Sequence, residues 1–116
     1  MKNIVLVIAF MVCSTVIAQK KNAKASFKVD GVCMMCKKRI EKATLGMKGV
    51  KYAVWNVKTH DLNVIFNERK TSVTAIKETV AGVGHDTEEI KATKEAYETL
   101  DPCCRYRDEE VVKDHQ

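Results

Sequence analysis

At 116 residues with a formal net charge of +5, the chain has room for one domain and its terminal extensions, which excludes a multidomain protein. The charge is divided: from Lys20 to Lys58 eleven Lys/Arg stand against Asp30 and Glu41, whereas from Asp86 onward ten Asp/Glu stand against five Lys/Arg. No aromatic residues interleave with the cations, and only Phe27 lies near the cluster, so nucleic acid is a poor partner. Two readings of the basic half remain, docking to an acidic partner surface or a solvated face that keeps a small protein soluble.

Residues 1–18 read as a secretory signal: Lys2 is the positive n-region, Ile4 to Val12 the apolar core, and Val16-Ile17-Ala18 a small-residue cleavage site. The run is short for a transmembrane helix. The expected location is therefore periplasmic or otherwise extracytoplasmic, with a membrane anchor as the weaker option. Cys13 falls inside this segment, leaving four cysteines, Cys33, Cys36, Cys103 and Cys104, for the rest of the chain. Residues 19–25 read as a Lys/Asn/Ala linker without apolar residues to bury.

In Ser26 to Asp30, Phe27 and Val29 alternate with polar residues, the period of a half-buried strand. Gly31 then gives the freedom a sharp turn into Cys33-Met34-Met35-Cys36 needs. Cys36, Ile40, Ala43 and Met47 fall at helical spacing, predicting a first helix over Cys36 to Lys48, closed by Gly49. Val50 to Val57 and the run beginning at Leu62 read as a hairpin, with Ala53, Trp55, Val57, Leu62, Val64 and Phe66 facing one way. Thr71 or Ser72 caps a second helix bearing Val73, Ile76, Val80 and Val83, and Thr87 to Ala92 reads as a short charged edge strand. The order βαββαβ is that of an α+β, ferredoxin-like sandwich: a four-stranded antiparallel sheet with two helices on one face.

The chemistry centres on Cys33 and Cys36, the first just before a helix and the second in its first turn. A helix N-terminus favours negative charge, Lys37, Lys38 and Arg39 add positive potential, and thiolate is thereby favoured over thiol. Thiolates are soft donors for Cu(I), Zn(II) and comparable ions. Cys-x-x-Cys at a helix start also marks thiol–disulfide oxidoreductases. Against that reading stand the element order and the position of the sole proline, Pro102, far along the chain from the pair. A structural disulfide between Cys33 and Cys36 would close too short a loop to stabilise much.

Gly31, Cys33-x-x-Cys36, Ile40-Glu41-Lys42-Ala43, Gly49-Val50, the alternating hairpin and Gly82-Val83-Gly84-His85-Asp86 resemble the heavy-metal-associated domain family, which includes copper chaperones and the periplasmic mercury-binding protein. The resemblance spans about Phe27 to Ile90, within a domain drawn at 26–92. It implies a carrier, not an enzyme, that holds one soft ion through Cys33 and Cys36 and passes it on by ligand exchange. The ion would be Cu(I), with Hg(II) or Zn(II) as other options. The partner would be a metal-transporting membrane protein or another metal-binding protein, with no small-molecule substrate. Two departures stand out. One residue is missing between Gly31 and Cys33, so Val32 replaces the family's buried Met and the loop tightens. His85 stands where Tyr or Phe is common; it is a candidate third ligand or hydrogen-bond donor to a thiolate, against the plainer reading of an exposed loop histidine.

Residues 93–116 form an extension beyond the family pattern. Tyr97 and Leu100 predict one helical turn docked on the domain and stopped by Pro102. Cys103-Cys104 has three readings: further thiolates for the Cys33/Cys36 site, disulfides that lock that pair, or bonds within the pair or to another molecule. Beside these stands a plain structural bridge. Met34 and Met35 read as an exposed loop tip, able to offer thioethers but better suited to partner contact. His60 and His115 read as non-ligands.

Overall fold

The computed structural model describes residues 19–116, so the segment read as a signal sequence lies outside the described residues. In chain order the elements are β1 (Ala23–Lys28), α1 (Met34–Leu45), β2 (Val50–Trp55), β3 (Asp61–Phe66), α2 (Val73–Gly82), α3 (Lys94–Glu98), a 3-10 turn (Pro102–Cys104) and α4 (Glu109–Asp114). The sheet is antiparallel in the order β1-β3-β2. Phe27 and Trp55 lie opposite Leu62 from its two flanks, and Ala25 and Ala53 lie opposite Val64. Because strand side chains alternate between faces, this register puts all of them on one side of the sheet. That side is covered by Cys36, Ile40 and Thr44 of α1 and Ile76 and Val80 of α2, all fully buried. The Thr44 hydroxyl donates to the Ile40 carbonyl at 2.7 Å, so its burial leaves no polar atom unpaired.

Several boundaries move. β1 starts at Ala23, since Ala23 and Ala25 extend the alternation and pair with Phe66 and Val64. The expected linker thus supplies half of a strand, and the Lys20 backbone donates to the Glu68 carboxylate and accepts from the Glu68 amide. α1 begins at Met34, two residues early, which puts Met34 and Met35 in a helical turn rather than a loop. It ends at Leu45 with Gly46 as C-cap; Gly49, at φ +99°, serves the following turn into β2. Ser72 caps α2, its hydroxyl accepting from the Ala75 amide at 3.1 Å.

The fourth strand does not form: among the described residues, Thr87 to Ala92 contributes a single bridge, Val29 to Thr87. Its hydrogen bonds close locally instead. The Thr87 amide donates to the Ile90 carbonyl at 2.8 Å, the Ile90 amide to the Thr87 hydroxyl at 3.0 Å, and the Ala92 amide to the Asp86 carboxylate at 2.7 Å. A segment whose donors are spent on its own turn cannot also run as an edge strand. The ferredoxin-like α+β core stands without it.

The extension returns to the domain. Thr93 caps α3, and Leu100 is buried against Gly84, as the Tyr97/Leu100 spacing predicts. Gly84 has φ +105°, and a Cβ there would lie 2.8 Å from Leu100 Cδ2 and 2.9 Å from the Ala96 carbonyl, so only glycine lets α3 lie this close. The helical turn ends at Glu98; Pro102 opens the next turn and does not stop this one.

Candidate metal centre

Cys33 is the N-cap of α1, with extended backbone at φ −143°, and its carbonyl accepts the first helical bond from the Lys37 amide at 3.1 Å. Cys36 follows three residues on, and a helix tilts side chains toward its own N-terminus. The two sulfurs therefore meet at 3.2 Å. Cys36 is fully buried, and at Gly31 a Cβ would lie 3.0 Å from the Trp55 ring and 3.2 Å from the Cys36 Cβ. The loop can thus be one residue short only with glycine at this point; Val32, half-buried, packs on the core.

The 3-10 turn carries the second pair to the first. Cys104 is fully buried with its Sγ 3.1 Å from Cys33 Sγ, while Cys103 is exposed, 4.0 Å from Cys104 Sγ and 3.5 Å from Met35 Sδ. The sulfurs of Cys33, Cys103 and Cys104 all lie within 4.8 Å of one another, and Cys36 adjoins this group through the Cys33 sulfur at 3.2 Å and the Cys104 carbonyl at 3.9 Å. All four thiols are free, with separations well beyond the roughly 2.05 Å of a disulfide.

Their proton affinities differ. Burial raises that of Cys33, but contact with Cys104, the Cys36 and Met35 amides and the Cys36 thiol outweigh it, so its pKa falls below the ordinary value. Burial pushes Cys36 up despite the amides around it, and pushes Cys104 up strongly, with the Cys33 and Cys36 thiols adding to the effect. Of Cys33, Cys36 and Cys104, Cys33 ionises first, as a thiolate between two neutral sulfur donors. A soft cation arriving there would displace the remaining protons.

Arg39 supplies the opposing charge. Its guanidinium sits against Cys104 and is held by His85 Nε2 at 3.4 Å and the Asp101 carboxylate at 3.2 Å. His85 is fully buried, correcting the exposed-loop reading. Its Nδ1 lies 2.8 Å from the Asp30 carbonyl and so carries the proton, leaving Nε2 to accept from Arg39. Burial lowers the His85 pKa to about 4. With both ring nitrogens engaged, His85 is a strut for Arg39. His60 stacks on Trp55 in the hairpin turn, and His115 Nε2 donates to the Cys103 carbonyl at 3.1 Å.

A polar latch holds the extension in place, and it was hidden in the sequence. The Tyr106 hydroxyl donates to the Gly84 carbonyl at 2.7 Å and accepts from the Asp86 amide at 2.9 Å. Arg107 grips the Asp86 carboxylate at 2.7 and 3.1 Å and donates to the Ala92 carbonyl at 2.9 Å. Burial alone would raise the Asp86 pKa, yet Arg107 and the Ala92 amide bring it below the usual carboxylate range. The one available signal was that Asp86, a charged residue, closes the Gly82-Val83-Gly84-His85 loop. Pro102, distant in sequence, stands two residues before a thiol of the cluster, so its distance along the chain gave no argument about the site.

Residues 26–86 match the heavy-metal-associated domain. Among solved structures, a CopZ metallochaperone is 26% identical over 56% of this chain and 98% of its own, with a TM-score of 0.55. The Cu(I)-loaded N-terminal domain of a potential copper-translocating P-type ATPase from Bacillus subtilis is 33% identical over 57% and 84%, also at 0.55. Oxidized MerP from Ralstonia metallidurans CH34, at 23% identity over 57% and 96% and a TM-score of 0.50, shares the fold. No curated protein sequence matches the chain.

Proposed function

Because the chain belongs to the heavy-metal-associated domain family, we propose that it is an extracytoplasmic carrier of a soft metal ion, Cu(I) first, bound through Cys33 and Cys36 with Cys104 as a third sulfur. The observation that carries this is the position of Cys33 Sγ, 3.2 Å from Cys36 Sγ and 3.1 Å from Cys104 Sγ. Three sulfurs of which one ionises readily are a donor set for a soft monovalent ion. A tetrahedral four-sulfur zinc site, with bonds of about 2.3 Å, wants all four sulfurs mutually about 3.8 Å apart. Here Cys36 is not part of the group of sulfurs that lie within 4.8 Å of one another, a spread that favours Cu(I) over Zn(II). Release proceeds by ligand exchange: a partner thiolate bonds the ion as one bond to this chain breaks. The partner is a metal-transporting membrane protein or another metal-binding protein, and the Lys-rich face of α1 suits an acidic surface on it.

Titration of the reduced chain with Cu(I), Hg(II) and Zn(II) against a competing chelator tests the reading. One tightly held Cu(I), lost in Cys33→Ser and weakened at least tenfold in Cys104→Ser, is expected. Unchanged affinity in Cys104→Ser would remove the third sulfur from the proposal. Absence of metal binding, with catalytic reduction of insulin, would replace the carrier by a thiol–disulfide redox protein, a reading that the Cys33–Cys104 and Cys33–Cys36 contacts also serve. Export is checked by cell fractionation and by the N-terminal mass of the isolated protein, expected to lack residues 1–18.

A further inference from the structure

The sulfur atoms form a chain of contacts that begins at the surface and ends at fully buried Cys36. Met35, 47% exposed, and exposed Cys103 stand at the outer end; buried Cys104 and half-buried Cys33 come next, both within 4.8 Å of the Cys103 sulfur, and buried Cys36 closes the chain. Consecutive sulfurs are 3.5, 4.0, 3.1 and 3.2 Å apart. With bonds of about 2.3 Å, two sulfurs closer than about 4.6 Å can hold one soft ion at the same time. Every step of the path meets that condition, so an ion can move along it without ever being free.

We propose that Cys103 and Met35 form an outer soft-metal position through which the ion reaches and leaves the inner Cys33, Cys36 and Cys104 sulfurs; this rests on the carrier reading. Cu(I) arriving on a donor thiolate bonds Cys103, whose thiol releases its proton to solvent, and Met35 Sδ; the donor's bond breaks. The Cys104 sulfur then loses its proton and bonds the ion as the Met35 bond breaks. Finally the Cys33 thiolate bonds the ion, Cys36 gives up its proton and bonds it as well, the Cys103 bond breaks, and Cys103 takes a proton back. The metal stays Cu(I) throughout and no electron moves. The thioether suits the outermost place because it is neutral, a weaker ligand than thiolate, and carries no proton to exchange. The His115 contact to the Cys103 carbonyl and the Pro102 turn hold the outer thiol at the rim.

Two measurements on the full chain test it. In the first, the chain is loaded with one equivalent of Cu(I), and transfer to an excess of a chromogenic Cu(I) chelator is followed by stopped flow for wild type, Cys103→Ser and Met35→Leu. Transfer at least tenfold slower in Cys103→Ser and severalfold slower in Met35→Leu, with equilibrium affinity within threefold of wild type, is expected. Unchanged rates in both would overturn the proposal, as would a tenfold loss of affinity in Cys103→Ser, which would make Cys103 an inner ligand. In the second, the wild-type chain is alkylated with iodoacetamide and mapped by mass. Cys103 should stay reactive in the singly loaded protein while Cys33 becomes protected; protection of both would again overturn it. A wild type that takes up no Cu(I) sinks the carrier reading itself, a failure visible before any variant is made.

Discussion

The domain over 26–86 and the extension over 93–116 are held by different physics. In the first, a periodic apolar set from three strands and two helices closes on itself, with Trp55, Ile40, Leu62 and Ile76 withdrawn from water. In the second, Leu100 and Cys104 are the fully buried anchors, and the Asp86, Tyr106 and Arg107 contacts do the rest. Burial of large side chains makes a unit cooperative, whereas a few polar contacts make an attachment that opens on its own. The domain is thus built to persist and the extension to be separable, and the thiol cluster lies on the seam between them. Cys33 and Cys36 belong to the persistent side, Cys103 and Cys104 to the separable one.

The contrast is broken most severely from within the domain. Ile40→Ala removes a fully buried side chain between α1 and the sheet and should destabilise the whole domain by about 3 kcal/mol. Denaturant unfolding followed by Trp55 fluorescence checks this, and the midpoint should fall without a new intermediate. Acid reaches both regions next, through His85. Its folded pKa of about 4 lies below the ordinary 6.5, so the unfolded chain binds more protons between those values. Stability from this group is full above about pH 6.5 and is lost as pH falls toward 4, by on the order of 3 kcal/mol. His85→Gln should flatten that part of the stability profile, leaving only the acid loss of carboxylates such as Asp86.

How legible each region was follows the same division. Alternation in Phe27, Val29, Leu62, Val64 and Phe66 and helical spacing in Cys36, Ile40, Ile76 and Val80 carry the core, because burial writes a period into the sequence. The Cys33/Cys36 pair at a helix start was legible for its spacing. The fourth strand misled because Thr87 and Ile90 have strand propensity, yet Asp86 and Thr87 bind the backbone that a strand would need. Nothing in the spacing of Cys103 and Cys104 states which surface they reach; that is decided by Tyr106 and Arg107 meeting a loop twenty residues upstream, a contact without period. His85 was misread for a related reason: Tyr106 of the returning extension stacks on it at 5.5 Å, a contact with no trace in the loop's own sequence.

Arg107→Gln sharpens the comparison where the two regions join. It removes the charge-assisted bonds to Asp86, which, with Arg107 partly in solvent, contribute about 1–1.5 kcal/mol. The main unfolding transition should hardly move, while Cys104, fully buried in the closed form, becomes about tenfold more reactive to a thiol reagent. A domain transition that falls as far as that of Ile40→Ala would mean that domain and extension unfold as one unit.

The smallest effect belongs to the extension's outer face. Lys94 and Glu98 form an i,i+4 pair on α3 at 3.9 Å, with side chains 82% and 58% exposed. In high-dielectric surroundings such a pair is worth about 0.3 kcal/mol, less in salt. Lys94→Ala should therefore leave both the unfolding midpoint and Cys104 reactivity unchanged within error. A Lys94→Ala chain whose Cys104 reacted as fast as in Arg107→Gln would move the hold on the extension from the Asp86 latch to the stability of α3, and the seam would then be governed by helix formation.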